Sequence, residues 1–192
     1  MVLSQESIMK ILVYIIPALT LSFLVGPLAI LLAKRVGAID IPESAAHKKH
    51  NSPTPLAGGL VLLFVFPTLF FLSELGKDSS FLGLFAGSGI IFFFGLIDDI
   101  YGLSAPKKIL GQFVGAALLA YSGTTIRFLE TANLSLEMST LVALNWGLTL
   151  FWVVGITNAF NLIDSMDGLV AGLTFIAASF FAFFTFVSGQ ML

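Results

Sequence analysis

The sequence predicts an all-α protein, a polytopic bundle of membrane-spanning helices. Three observations predict it. Hydrophobic residues fill 57% of the 192 positions and charged residues only 10%, whereas soluble domains carry about a quarter charged residues. The mean hydropathy is +1.01. The apolar residues are also gathered into six runs, at 8–33, 56–72, 81–97, 109–126, 140–156 and 169–187. Each reaches the length a bilayer requires, roughly 20 residues with a lower limit of about 17.

The first run is too long for a signal-peptide core. It ends in Lys34-Arg35 rather than a small-residue cleavage site, so it reads as a retained span. Pro17 and Pro27 within it are tolerated in lipid, where neighbouring groups re-satisfy the freed carbonyls. Turn-rich pieces separate the runs. By parity, 73–80 and 123–139 lie on one face, and 34–55, 98–108 and 157–168 on the other. Lys34, Arg35, Lys48, Lys49, Lys107 and Lys108 belong to the second set, and Lys10, Lys77 and Arg127 lie opposite. The positive-inside rule then makes the second face cytoplasmic and places the N-terminus outside. No soluble domain, low-complexity segment or internal repeat interrupts the pattern, so 1–192 reads as one transmembrane domain. The absence of cysteine excludes a disulfide framework or thiolate site. A net charge of -2 gives no reason to expect a nucleic-acid partner.

All three loops on the basic face contain groups that membranes do not tolerate without cause. The first reads Val36-Gly37-Ala38-Ile39-Asp40-Ile41-Pro42, then His47-Lys48-Lys49-His50-Asn51-Ser52-Pro53-Thr54-Pro55, then Gly58-Gly59. Its prolines keep it extended and its glycine pair permits close backbone approach. The four basic or titratable side chains in a row suit an anionic ligand or headgroup, although positive-inside topology alone would supply them. The second loop opens with Asp98-Asp99 and closes with Lys107-Lys108. Adjacent carboxylates do not both ionise cheaply without a nearby cation. Magnesium shared with phosphate fits the pair, and so does base catalysis by one of them. An interfacial pair neutralised by the two lysines is the plainer alternative.

The third loop spaces Asn158, Asn161, Asp164 and Asp167 three residues apart. On one helix each step of three turns roughly 300°, so the set would drift about 180° around it. A break near 165–168 is more economical. Asn158 and Asn161 then close the fifth helix, and Asp164 and Asp167 lie in the turn before the sixth. Capping would explain Asp167 alone, but not its companions.

Together these loops resemble the polyprenyl-phosphate N-acetylhexosamine-1-phosphate transferases. The match is carried by Val36-Gly37-x-x-Asp40-x-Pro42, His50-x-x-Pro53-x-Pro55-x-x-Gly58-Gly59, Gly95-x-x-Asp98-Asp99, Lys108 with Gln112, and Asn158-Ala159-x-Asn161-Leu162-x-Asp164-x-x-Asp167-Gly168-Leu169. The Asp40-x-Pro42 element and the His-x-x-Pro-x-Pro run look closer to the N-acetylglucosamine-1-phosphate branch than to the phospho-N-acetylmuramoyl-pentapeptide branch. Ser165 stands where family members commonly carry Gly, and the Pro42–His50 spacer is longer than usual.

The resemblance implies transfer of a sugar 1-phosphate from a UDP-N-acetylhexosamine to a polyprenyl phosphate, with release of UMP. It implies magnesium as cofactor, with manganese as an alternative. Asp98 and Asp99 look like the catalytic pair. His50, Lys108, Asn161, Asp164 and Asp167 resemble the nucleotide- and substrate-binding positions, and Asp98, Asp99, Asn161 and Asp164 the metal ligands. The expected setting is a bacterial cytoplasmic membrane, with surrounding lipid as a partner and a homodimer held open. The family's second half, with a further aspartate and a histidine loop, has no counterpart here, so an incomplete N-terminal portion is expected, inactive alone. A transporter or a non-catalytic membrane module is the contrasting reading.

Overall fold

The computed structural model describes residues 5–40, 53–73, 77, 79–131, 136–164 and 168–188. In order these form α1 (Gln5–Val36), β1 (Ile39–Asp40), β2 (Thr54–Pro55), α2 (Gly58–Leu72), α3 (Ser79–Tyr101), α4 (Ala105–Tyr121), α5 (Phe128–Thr131), α6 (Met138–Ile163) and α7 (Leu169–Val187). A helix accompanies every predicted apolar run, and the protein is an all-α membrane bundle. Four helices contain segments long and apolar enough to cross a membrane: Leu12–Val36, Phe81–Tyr101, Met138–Ile163 and Leu169–Val187. With 15 and 17 residues, α2 and α4 extend only about 22 and 26 Å, short of a hydrocarbon core of about 30 Å.

The burial pattern is that of a protein whose solvent is lipid. Large apolar side chains face outward, and α7 buries none of its residues, with Phe175 73% exposed. Polar groups such as Gln112, Asn145 and Thr149 are turned inward. Small residues carry the helix contacts, as expected where lipid removes the hydrophobic drive for association. Ala29 and Ala33 of α1 pack with Ala38 and Leu60, bringing α1 against α2. Gly37, at φ +77°, ends α1 in the left-handed conformation that glycine allows. The chain then turns into a two-residue antiparallel ladder that pairs Ile39 with Pro55 and Asp40 with Thr54. That ladder ties the end of α1 to the start of α2 and fixes the first loop at its base.

The most extensive contact is between α3 and α4. Gly87 and Gly115 face each other so closely that a Cβ on Gly115 would sit 2.7 Å from the Gly87 carbonyl oxygen. Gly83 and Gly111, each four residues from one of these, make similar approaches to Ser122 and the Phe94 ring. The two helices thus carry matching small-xxx-small stripes, a signal that the loop-centred sequence reading passed over.

Three boundaries differ from expectation. The stretch 98–108 is not a loop: α3 continues through Asp98 and Asp99 to Tyr101, and α4 starts at Ala105. Gly102, at φ +65°, donates its N–H to the Asp98 carbonyl at 2.8 Å and ends α3 one turn later than hydropathy suggests. The piece 123–139, expected to be turns, contains α5. The N-cap position of α7 falls to Gly168, at φ +76°, rather than to Asp167.

Candidate active site

Where α3, α4 and α6 meet the start of α2, a cavity of ≈ 340 Å³ opens. Asp98, Asp99, Lys108, Asn161 and Asp164 all line it, together with Gln112, Thr157, Gly59 and Gly95. Segments far apart in sequence therefore converge on one cavity. His50 and Asp167 lie outside the described residues.

Lys108 is the hub. Its ammonium contacts Asp98 Oδ2 at 2.7 Å and donates to Asn161 Oδ1 at 2.9 Å. The other Asp98 oxygen accepts the Leu103 N–H at 2.9 Å. Asp98 and Lys108 are each 20% exposed, so the pair is largely shielded from water. Local preferences oppose both placements. A carboxylate in the last turn of α3 meets the negative end of that helix dipole, and an ammonium in the first turn of α4 meets a positive end. Each charge offsets the other's penalty across the three-residue turn of Gly102, Leu103 and Ser104. Residues that break local rules in a consistent fold are concentrated at functional sites.

An ion pair at a helix junction would also suit a ligand-free structure. It does not account for the amide of Asn161 and the carboxylate of Asp164 on the same cavity wall. Asn161 is in the last turn of α6, and Asp164 is the residue that caps it, its N–H bonded to the Phe160 carbonyl at 3.0 Å. α6 ends at Ile163, so the break comes at Asp164, slightly before the expected 165–168, and Asn158 and Asn161 close the helix as expected.

One turn deeper, Asn158 Nδ2 donates to Gln112 Oε1 at 2.5 Å and to the Val154 carbonyl at 2.8 Å. Gln112 is 2% exposed. It lies four residues after Lys108, and Asn158 three before Asn161, so the two amide contacts form successive rungs between α4 and α6. Gln112→Leu is expected to leave the Asn158 amide short of a partner and to cost about 1–3 kcal/mol. A melting curve of the purified variant in detergent checks this.

Among the described residues, no three His, Cys, Asp or Glu side chains form a closed metal cage. The oxygen donors that Asp98, Asp99, Asn161 and Asp164 bring to the lining suit an ion held by one or two carboxylates and completed by water and phosphate, as magnesium commonly is.

Comparison with known proteins gives the same family. A model described as "Glycosyl transferase family 4" matches residues 81–192. The chain is 33% identical over 188 residues to a "Probable undecaprenyl-phosphate N-acetylglucosaminyl 1-phosphate transferase" of Bacillus subtilis (strain 168), covering 98% of this chain and 52% of the relative. It is 32% identical over 160 residues to the "Undecaprenyl-phosphate alpha-N-acetylglucosaminyl 1-phosphate transferase" of Yersinia pestis, covering 83% and 43%. Identity is 35% over 191 residues with a "Phospho-N-acetylmuramoyl-pentapeptide-transferase" of Lactobacillus johnsonii, covering 88% and 57%. The chain spans about half the length of these relatives. No solved structure matches it. By the extent of the family match and by identities above 30% along most of its length, the chain belongs to glycosyl transferase family 4.

Proposed function

We propose that this chain supplies one wall of the active site of a membrane phosphotransferase, which moves N-acetylglucosamine 1-phosphate from its UDP donor to a polyprenyl phosphate. The observation that carries the reading is the Asp98–Lys108–Asn161 cluster on the rim of a cavity that Asp99 and Asp164 also line. The relative matched over 98% of this chain is named for that branch, in agreement with the Asp40-x-Pro42 and His-x-x-Pro-x-Pro elements. The excess of lysine and arginine supports a cytoplasmic active face, where a soluble nucleotide sugar is met.

In the proposed reaction a phosphate oxygen of the polyprenyl phosphate bonds to the phosphorus that carries the sugar. The bond from that phosphorus to the bridging oxygen breaks, and UMP leaves with the bridging oxygen. Positioning and charge neutralisation supply most of the acceleration in such transfers. Lys108 uses two of its three N–H groups on Asp98 and Asn161, which leaves the third for a phosphate oxygen. Asp98 holds Lys108 in orientation, and Asn161 fixes its height on the wall. Asp98 is held by Lys108, and we assign Asp99 and Asp164, on the same cavity lining, first to magnesium. When bound, that ion supplies charge neutralisation on the diphosphate. Asp99 is alternatively placed to accept a proton from the lipid phosphate. We assign His50 and Asp167 to substrate binding on the resemblance alone.

The test uses protein from the complete reading frame that contains this chain, in detergent with polyprenyl phosphate and UDP-N-acetylglucosamine. Release of UMP that stops on chelation and returns with magnesium is expected. Absence of turnover with this pair, but turnover with the UDP-N-acetylmuramoyl-pentapeptide donor, would move the protein to the other branch.

A further inference from the structure

A second cavity, of ≈ 530 Å³, opens at the other end of the α4–α6 pair. Ala120, Gly123, Arg127, Glu130, Asn145 and Trp146 are among its lining residues. Along α6 it lies 16 residues before Asn161, or about 24 Å away, so it is no part of the site described above. Its base is built rather than incidental. Asn145 is 4% exposed and donates from Nδ2 to Glu130 Oε1 at 2.9 Å. Its own Oδ1 is buried with no hydrogen-bond partner. An orphaned amide oxygen at such depth is costly unless something donates to it. Thr149 secures the surrounding backbone: its hydroxyl accepts the Ile126 N–H at 2.9 Å and donates to the Asn145 carbonyl at 2.6 Å.

The two charges on the rim belong to one pocket, yet among the described residues they do not pair. Arg127 donates at 3.3 Å to Thr125 Oγ1 and to the Gly123 carbonyl, which leaves most of its five N–H groups for a ligand. Glu130 accepts from Asn145 through Oε1. Met138, Leu141 and Val142 make an apolar part of the lining, with Met138 73% exposed and Val142 48% exposed. Trp146 and the nearby, 80% exposed Tyr121 are residue types that sit at headgroup level.

We propose that this cavity holds the headgroup of a zwitterionic phospholipid with a primary ammonium, of the phosphoethanolamine type. The phosphodiester pairs with Arg127, the ammonium with Glu130, and one ammonium N–H satisfies Asn145 Oδ1. The acyl chains leave along Met138 and Val142. A quaternary ammonium has no N–H for Asn145, and a purely anionic headgroup gives Glu130 nothing to pair with. The site therefore selects among lipids of the same chain length.

The test purifies protein from the complete reading frame in mixed micelles with equal phosphatidylethanolamine, phosphatidylcholine and phosphatidylglycerol of identical acyl chains. Retained lipid is counted by native mass spectrometry. Phosphatidylethanolamine is expected to exceed each of the others by about tenfold, the worth of one charge-assisted hydrogen bond. Glu130→Gln, on an exposed rim position, and Asn145→Leu, in the buried base, are each expected to bring the ratios toward one. Glu137→Gln, outside the cavity, should leave them unchanged. Equal retention of the three lipids, retention of none, or an undiminished preference in a folded Glu130→Gln variant overturns the proposal.

Discussion

Exchanging both Asp98 and Asp99 for Asn is expected to lower UMP release by about three orders of magnitude, with the protein still folded. Losses of two to three orders are typical when one preorganised charge-stabilising group is removed from a reacting site. The two aspartates act on one cavity, so their separate losses are not expected to multiply. The single variants divide the labour. In Asp98→Asn the amide retains an oxygen to accept the Leu103 N–H, so the junction between α3 and α4 keeps its form. The charge that holds Lys108 is lost, and Lys108→Met should reproduce most of the Asp98→Asn defect. Asp99→Asn should leave that pair intact and change the magnesium dependence instead. Initial rates across a magnesium titration, with a melting curve for each variant, separate these outcomes. Full activity in the double variant would remove both residues from the chemistry.

The largest effect on stability is expected from Gly115→Val. A Cβ at Gly115 would lie 2.6 Å from Ile91 Cγ1 and 2.7 Å from the Gly87 carbonyl oxygen. A side chain could rotate away, but the carbonyl belongs to a helix and moves only if α3 separates from α4. Overpacking of that kind costs about 3 kcal/mol, or about 10 °C in melting temperature for a chain of this size. Gly89, on the same α3, has nothing within 4 Å of its Cβ position. Gly89→Ala should therefore match or slightly exceed the parent, because alanine is the better helix former. A thermal melt of both variants in one detergent tests the contrast. Similar melting temperatures for the two would mean that the glycine stripes do not set the α3–α4 distance.

Loss of the α3–α4 contact would reach the site as well. Asp98 is on α3 and Lys108 on α4, and their 2.7 Å contact spans that interface. Gly115→Val should accordingly lose activity out of proportion to its remaining folded fraction.

What the sequence determined by itself was whatever depends on local pattern. Apolar runs of spanning length located every long helix, because in lipid a backbone has to satisfy its own hydrogen bonds. The three-residue spacing of Asn158, Asn161 and Asp164 located the end of α6, because a helix turns by a constant angle. The motif order identified the family, and with it Asp98, Asp99, Lys108, Asn161 and Asp164 as companions. Helix ends were less legible. Hydropathy stopped α3 at Ile97, since aspartate reads as a boundary, and the neutralisation by lysine that the sequence suggested did not say that Lys108 reaches Asp98. That pairing joins residues ten positions apart across a turn whose geometry only the folded chain sets. The Gln112–Asn158 rung, the Gly87–Gly115 approach and the orphaned oxygen of Asn145 were likewise decided by tertiary structure alone. Each depends on the distance and rotation between two helices, and no periodicity within either helix encodes that.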